Sequence, residues 1–558
     1  MFDLTKFRTL FKILAVTFQE QCTALNTLDA AVGDGDHGFT ISRAFTAADQ
    51  ALAEEYTDLG EMLDVAAESM AENAGGAIGP LLAAFFAEGG IIFQSKQVCD
   101  QQDLADFFEG GLNAVMQVGG AQPGQKTLVD AMFPAVQSLK EVQHKTILEA
   151  LQAAEKAAQA GALATREMVA AHGRAHFLGE RSKGYQDAGA TSFAIIVGCF
   201  KEAVEGKTID LRRQQPASGV FHPAGKFINH PDGMIAEDNE GLALANPDIL
   251  SYLPEGFLVR SKPKGFGKVG LAIGHGGGHT PSMGGLVGEG LLDSDVYGPI
   301  FTCASGVKIA RAIELANRDA GVALLISNHS GDVLNARLGM RRAEQLGIHV
   351  EPIYLGDDIA TAPRTEFEKR RGLGGMLFAL KIGGAAAEKG KNLEEVARLM
   401  RKANQRTASL AVAVRPPTHP ATGMPLFELP IGQVEIGTGV HGEVGVYRGD
   451  LLPADEIVDM VLEKLVEDLS GFSEKKMLIF VNGSGGTSRM ELNILYRCVH
   501  QSLLRHGFSI AGSVVDSLFT TQEMGGFSLS LCVVDEELLD LWRQPAFAAC
   551  FHFLTRSS

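Results

Sequence analysis

Val269-Gly270-Leu271-Ala272-Ile273 runs straight into Gly274-His275-Gly276-Gly277-Gly278-His279-Thr280-Pro281. The apolar run is too short for a typical helix and long enough for a buried strand. A glycine-rich turn after a strand lets the backbone of an α/β sheet approach a small ligand closely. The same grammar recurs at Val322-Ala323-Leu324-Leu325-Ile326, which leads into Ser327-Asn328-His329-Ser330-Gly331-Asp332. Further β-branched runs stand at 350–354 and 477–481, with helical patterns at 310–317, 336–346, 393–403 and 454–469. This alternation predicts α/β layers with largely parallel sheets. The stretch Pro416-Pro417-Thr418-His419-Pro420 is expected to divide them into two lobes, 225–415 and 416–558.

Upstream the grammar changes. Residues 1–207 place apolar side chains at three- and four-residue spacings over 62–70, 104–118, 128–142 and 147–169. The composition there favours helix, and Gly75-Gly76, Gly89-Gly90, Gly110-Gly111 and Gly119-Gly120 read as breaks. This half is expected to be an all-α bundle or barrel. Residues 208–224, with Arg212-Arg213-Gln214-Gln215-Pro216, lose periodicity and read as a linker that could span on the order of 55 Å if extended.

A length of 558 residues exceeds one hydrophobic core. With 46% hydrophobic and 21% charged residues, the chain reads as a folded globular protein. A net charge of −18 argues against nucleic acid or an acidic membrane as partner. Seven scattered cysteines with no CxxC pair argue against a disulfide framework and a cysteine zinc site. The start Met1-Phe2-Asp3-Leu4-Thr5-Lys6 lacks the pattern of a signal peptide, and the apolar stretch 81–93 is interrupted by Glu88. A cytoplasmic protein is expected.

The densest chemistry of the helical half is Leu28-Asp29-Ala30-Ala31-Val32-Gly33-Asp34-Gly35-Asp36-His37-Gly38. Close carboxylates repel, so Asp29, Asp34 and Asp36 in one glycine-jointed loop call for cations. Mg²⁺ suits such oxygen donors and often bridges them to phosphates. Gly75-Gly76-Ala77-Ile78-Gly79-Pro80 and the segment from Gly179 through Arg181 and Asp187 to Ser192 could present amides and one guanidinium to phosphate. In the α/β half, His279 and Asp332 are expected to converge at strand ends. Gly437-Thr438-Gly439-Val440-His441-Gly442-Glu443 sets a further histidine in a glycine loop. Its formal GxGxxG match lacks the strand before it and the helix after it that a dinucleotide fold needs.

On these loops, in this order, the chain resembles the dihydroxyacetone kinase family over both halves. No GxxxxGK[ST] is present, and that family lacks one. The resemblance implies ATP with two Mg²⁺ ions held by Asp29, Asp34 and Asp36. His37, Gly75, Gly76, Ala77, Gly79, Asp187 and Gly189 would face the nucleotide, and Arg181 the γ-phosphate. It further implies that His441 binds a small hydroxyketone as a covalent hemiaminal. Asp332 would accept the hydroxyl proton, His279 would polarise or protonate the ketone oxygen, and Gly276, Gly277, Gly278 and Ser327 would line the substrate. A homodimer is expected on the same ground.

The chain departs from the family pattern at several places. Ile78 stands where the family usually has Ser, and Gln125 where it has Asp. Gly276-Gly277-Gly278-His279-Thr280-Pro281 replaces Gly-Ser-Gly-His-Glu-Pro, and Ser327-Asn328-His329-Ser330-Gly331-Asp332 replaces Lys-Asn-Tyr-Thr-Gly-Asp. The wider wall suggests a four-carbon ketose such as erythrulose. The helical nucleotide domain leads, whereas the commonest fused enzymes place the substrate domain first. Three other readings use the same motifs: a version fed by a phosphotransferase-system carrier, cyclisation of FAD, and a non-catalytic ketose sensor.

Overall fold

The structure is a computed structural model that describes residues 2–33, 35–141, 146–207, 225–420 and 423–554. Asp34 and the expected linker 208–224 lie outside the described residues. The chain forms two compact units, Met1–Val220 and Phe221–Ser558.

The first unit is helical. Its helices are α1 (Leu4–Ala30), α2 (His37–Ala51), α3 (Leu59–Asn73), α4 (Ile78–Ile92), α5 (Gln101–Gly119), α6 (Val129–Glu141), α7 (Ile147–Ala164) and α8 (Ala188–Glu205). Strands β1 (Phe2–Asp3) and β2 (Val98–Cys99) form one short antiparallel pair, a feature with too few residues to carry an alternation. Side chains of Asp3, Asp58, Asp100, Thr146 and Asp187 accept amide hydrogen bonds at helix starts, which fixes where those helices begin. Consecutive helices pack together and α8 returns against α1, closing a ring. A phenylalanine cluster fills the interior: Phe85 lies 4.9 Å from Phe107, and Phe108 lies 5.1 Å from Phe200, between ring centroids.

Two of the expected glycine breaks are not breaks. Gly89-Gly90 lies inside α4 and Gly110-Gly111 inside α5. A Cβ at Gly89 would come within 2.3 Å of Leu63, and one at Gly111 within 2.3 Å of Phe85. These residues are small because a neighbouring helix packs there. Packing contact outweighs their low helix propensity.

The second unit opens with α9 (Met234–Ala245), β3 (Leu250–Leu253), β4 (Phe257–Arg260), β5 (Gly270–Gly277), β6 (Gly288–Glu289), β7 (Ser294–Ile300), α10 (Gly306–Ala316), β8 (Val322–Ile326), α11 (Ser330–Gln345) and β9 (Val350–Tyr354). Its first sheet has the order β3-β4-β7-β5-β8-β9. Strands β7, β5, β8 and β9 are parallel. The chain adds β7 on one side of β5, then crosses through α10 to add β8 on the other. The carboxyl end of β5 is therefore a topological switch point, where α/β sheets open a crevice.

Next come α12 (Met376–Glu388), α13 (Leu393–Gln405), β10 (Thr407–Arg415), β11 (Gln433–Ile436), β12 (Tyr447–Asp450), α14 (Ala454–Asp468), β13 (Lys476–Gly483), α15 (Arg489–Arg505), β14 (Ser509–Asp516) and β15 (Gly525–Val533). The second sheet has the order β12-β11-β10-β15-β13-β14. Only β13 and β14, joined by the crossover helix α15, are parallel; the other pairs are antiparallel. The expectation of largely parallel sheets fails for this sheet. Strand β10, grouped with the first lobe by the sequence reading, pairs with β15 near the centre of the second sheet. Pro416-Pro417 ends that strand instead of separating two lobes, because proline cannot continue a ladder.

The final elements are α16 (Glu536–Trp542), β16 (Ala546–Ala548) and β17 (Phe551–Phe553). β16 pairs with β6 and β17 pairs with β16, so the end of the chain returns to the first lobe. Helix α12, buried from Met376 to Ala387, belongs to one core with side chains of both sheets, as an all-round apolar helix must. Among the described residues, no helix is long and apolar enough to cross a membrane.

Gly111→Ala tests the packing reading. Alanine would ordinarily favour a helix interior over glycine by about 0.5–1 kcal/mol. Here the added methyl meets the Phe85 ring, so the variant should instead lose about 1–3 kcal/mol, read as a lower urea midpoint of the full chain.

Candidate functional site

At the switch point β5 runs out through Gly276, Gly277 and Gly278. A Cβ at Gly277 would lie 2.6 Å from Ile235, and Gly278 has φ +95°, a conformation that favours glycine. The turn delivers His279. Its Nδ1 stands 2.7 Å from the carbonyl oxygen of Thr520. A carbonyl can only accept, so Nδ1 carries the hydrogen and Nε2 is left with its lone pair. Nε2 faces Nε2 of His441 at 3.2 Å.

His441 comes from the loop between β11 and β12. That loop wraps around its own carboxylate: Glu443 accepts from the His441 amide at 2.9 Å and faces His441 Nδ1 at 3.2 Å. A Cβ at Gly439 would fall 2.0 Å from the Glu443 oxygen. Contrary to the sequence expectation a buried strand, β11, does precede this loop, but the chain runs on into β12 with no helix, and the glycine spacing is explained by the wrap around Glu443. Thr521 Oγ1 donates to the Val440 carbonyl and steadies the loop from the other side.

Behind Glu443 stands Arg371, buried, with Nη1 3.5 Å from Glu443 and Nε 2.7 Å from Asp358. Burial alone would push Glu443 up, but Arg371 and His441 outweigh it and hold the carboxyl well below the usual range. Burial drives His279 well below its ordinary value, and His441 and His275 push the same way. The result is a neutral imidazole opposite one backed by a fixed carboxylate.

Strand β8 delivers the neighbouring wall. Ser327 is buried and its carbonyl accepts from the Gly372 amide at 2.8 Å, which ties this wall to the segment carrying Arg371. Asn328 Nδ2 donates to the Arg370 carbonyl at 2.5 Å. His329 precedes α11, its ring 5.5 Å from that of His441. Asp332 is buried in the first turn of α11. The Phe301 ring lies 5.6 Å from both His279 and His441. Beside the pair, a cavity of about 410 Å³ is lined by Phe227, Asp238, Gly278, Thr280, Thr520 and Gln522. Thr280 Oγ1 donates to Asp238 at 2.5 Å.

The sequence reading named His279, His441, Asp332, Ser327 and the three glycines, and all stand in this region. It missed Arg371, Asp358, His329, Phe301 and Thr520, and gave Glu443 no role. Glu443 had a local signal, its placement two residues after a histidine in a glycine loop. Asp357-Asp358 had another, as a charged pair set among apolar residues, whereas Arg370-Arg371 ends the charged run from Glu366 and does not stand out.

The helical unit gathers a separate group. Asp29 ends α1, and its Oδ2 accepts from the amides of Gly35 at 2.9 Å, Asp36 at 3.1 Å and His37 at 3.3 Å. His37 Nε2 lies 3.0 Å from Ser192 Oγ on α8. Asp187 caps α8, accepting from the Ala190 amide at 2.6 Å. Burial pushes Asp187 up to about 7, and nearby Asp29 and Asp130 add to it. Lys126, which the sequence reading passed over, is buried and donates to the carbonyls of Thr165 at 2.7 Å and Tyr185 at 2.6 Å. Asp36, His37 and Asp187 are thus brought near Asp29, with Gly189 packed against Asp187.

Gly75, Gly76 and Ala77 lead into α4, and Gly79 lies in its first turn, where a Cβ would meet the Ala74 carbonyl at 1.9 Å. Ile78 is buried in the core. Gln125 Oε1 accepts from the Gln122 amide at 2.7 Å and meets His172 at 2.8 Å, so it serves the loop's own folding. Arg181 stands exposed in the segment Arg174–Ser182, without an ion pair to this group among the described residues. The carboxylates of Asp29, Asp36 and Asp187 offer the oxygen donors that a hard dication such as Mg²⁺ takes.

Comparison with known proteins follows the same division. The model of the Dak1 domain matches residues 240–550, and that of the DAK2 domain residues 31–202. An "L-erythrulose kinase" of Pectobacterium atrosepticum is 36% identical over 329 residues, 58% of this chain and 56% of the relative. The match therefore spans about half of that relative's length. Among solved structures, the "Dihydroxyacetone kinase operon co-activator Dha-DhaQ" aligns at TM-score 0.54 and 31% identity over 57% of this chain and 98% of its own. The dihydroxyacetone kinase from C. freundii in complex with AMP-PNP and Mg²⁺ aligns at TM-score 0.54 and 28% identity, over 60% of this chain and 62% of its own.

Arg371→Met should cost about 3–5 kcal/mol, since it leaves Asp358 and Glu443 buried without their cation. Adding Glu443→Gln should recover part of that loss. Denaturant unfolding of the two variants checks both statements, and equal losses would disprove the coupling.

Proposed function

The chain belongs to the dihydroxyacetone kinase family, and from that premise we propose that it phosphorylates a primary hydroxyl of a short hydroxyketone held covalently on His441. The observation that carries this reading is the 3.2 Å opposition of two Nε2 atoms whose Nδ1 atoms are both anchored.

The anchors define the chemistry. Glu443, kept ionised by Arg371, holds hydrogen on His441 Nδ1 and leaves Nε2 as the nucleophile. That lone pair adds to the ketone carbon. The π pair moves to the carbonyl oxygen, which takes a proton that solvent supplies through His279 Nε2, so that His279 is neutral before and after the step. The His441 ring, now bonded through Nε2, keeps its Nδ1 hydrogen and a positive charge that Glu443 balances. A polyol such as glycerol has no carbonyl and cannot be held this way. Asp332 then accepts the proton of the terminal hydroxyl as that oxygen attacks phosphorus.

On the nucleotide side, Mg²⁺ and ATP when bound supply the γ-phosphoryl group and neutralise its developing charge. Asp29 and Asp36, with Asp34, would hold two Mg²⁺ ions. His37, Asp187, Gly189 and the Gly75, Gly76, Ala77 and Gly79 turn would orient the nucleotide, and Arg181 would meet the γ-phosphate. The wrap of three amides around Asp29 supports this, because it fixes one carboxylate oxygen and leaves the other for a cation.

For the substrate, we favour a four-carbon ketose over dihydroxyacetone. Thr280, Ser327 and His329 stand where the family pattern carries Glu, Lys and Tyr, and of the three Thr280 lines the cavity of about 410 Å³. The erythrulose kinase relative supports the same choice.

ADP release with Mg·ATP should follow addition of dihydroxyacetone or an erythrulose enantiomer, with the higher kcat/KM for erythrulose. Glycerol should give none. His441→Ala should abolish turnover, and Asp29→Asn should lower it by raising the Mg²⁺ requirement. Turnover of glycerol, or full activity of His441→Ala, would overturn the covalent reading.

A further inference from the structure

We propose that Thr520-Thr521-Gln522-Glu523 is a clamp that sets the spacing of the two histidine loops, with Glu523 as a positioning residue for ketose binding. The kinetic consequence rests on the function proposed above; the clamp itself does not.

Successive residues of this stretch grip both loops. The Thr520 carbonyl accepts from His279 Nδ1 at 2.7 Å, and Thr520 Oγ1 donates to the Thr280 carbonyl at 2.7 Å. Thr521 Oγ1 donates to the carbonyl of Val440, the residue before His441. The Gln522 amide donates to the Gly278 carbonyl at 3.1 Å. His279 is thus held on both flanks and His441 on one, and the 3.2 Å between their Nε2 atoms depends on where this stretch lies. Its own backbone is constrained. Gln522 has φ +50°, a left-handed conformation that disfavours residues other than glycine. The loop after β13 packs tightly against it: a Cβ at Gly485 would meet the Gln522 carbonyl at 1.8 Å.

Glu523 supplies the outer anchor. Its carboxylate pairs with Lys226 and accepts from the Thr418 amide at 2.8 Å. The stretch Pro416-Pro417-Thr418-His419-Pro420, which the kinase reading leaves without a role, therefore ends β10 and turns an amide toward the clamp. Further along, the Phe427 ring packs beside Gly442, next to His441, where a Cβ would come within 2.3 Å of it. Among the described residues the Glu523 side chain bonds to neither histidine loop, so it acts on them through Thr520, Thr521 and Gln522. The Glu523 side chain is 43% exposed. An ion pair this open to water adds little to folding stability, which separates an effect on position from an effect on folding.

The test is amide hydrogen exchange of the full-length protein without substrate, on Glu523→Ala and Thr521→Val. Both variants should speed exchange over 275–281 and 437–443 together, by roughly 3- to 10-fold, as the loss of one or two hydrogen bonds allows. Helix α10 should be unchanged, and Thr521→Ser, which keeps the hydroxyl, should exchange at the ordinary rate. Faster exchange confined to 518–526, or none, would overturn the clamp. In ADP release at saturating Mg·ATP, Glu523→Ala should raise the KM for the ketose by a similar factor and keep kcat. A looser imidazole pair binds the ketose less well, whereas the adduct, once formed, is the same. A lower kcat at unchanged KM is what partial unfolding produces, and it would overturn the positioning role. His441→Ala runs alongside: its turnover would overturn the covalent reading, while the exchange data judge the clamp independently.

Discussion

A guanidinium taken out of water has to be matched by carboxylates, and in the α/β unit that requirement organises the site. Arg371 lies between Asp358, which follows β9, and Glu443, in the loop between β11 and β12. The network joins the end of the first sheet to a loop of the second. It does not by itself stabilise the fold greatly, since the desolvation of buried ions offsets most of their attraction. Its effect is on geometry and charge: Glu443 stays ionised and in place, and His441 is held through both its amide and its ring.

The opposite imidazole is positioned by different means. His279 depends on the close approach of β5 to its surroundings and on the Thr520 carbonyl, which arrives from the segment between β14 and β15. One histidine is thus backed by a charge and the other by a neutral dipole. This asymmetry sets two similar side chains apart, and the covalent chemistry proposed for the pair draws on it.

The helical unit solves the converse problem, an excess of anions. Three backbone amides converge on Asp29, and burial, with Asp29 and Asp130 nearby adding to it, pushes Asp187 up to about 7. Carboxylates held this way have high affinity for a hard dication, because binding relieves repulsion that folding has already imposed. The ring of helices supplies the rigidity. Its phenylalanine interior and the close contacts at Gly89 and Gly111 keep α1 and α8, which carry Asp29 and Asp187, in fixed relation.

The sequence alone determined whatever depends on neighbours a few residues apart. Apolar periodicity placed the helices, the short β-branched runs became β8 and β9, and Asp29 with the amides of 35–37 forms a wrap within nine residues. The two histidine loops were also legible, through their glycines and their likeness to a known family. Tertiary structure alone decided matters that join residues far apart in the chain. Strand β10 pairs with β15 more than a hundred residues later, and a strand's own pattern does not name its partner. Gly110-Gly111 looked like a break because the ring that requires their smallness belongs to another helix. Arg371, Asp358 and Thr520 gave no signal of approaching Glu443 and His279, since a buried charge is recognised only once its partner and the absence of water are known. Local patterns reflect local sterics and solvation, whereas register, charge pairing and the meeting of two imidazoles arise only when distant segments are packed together.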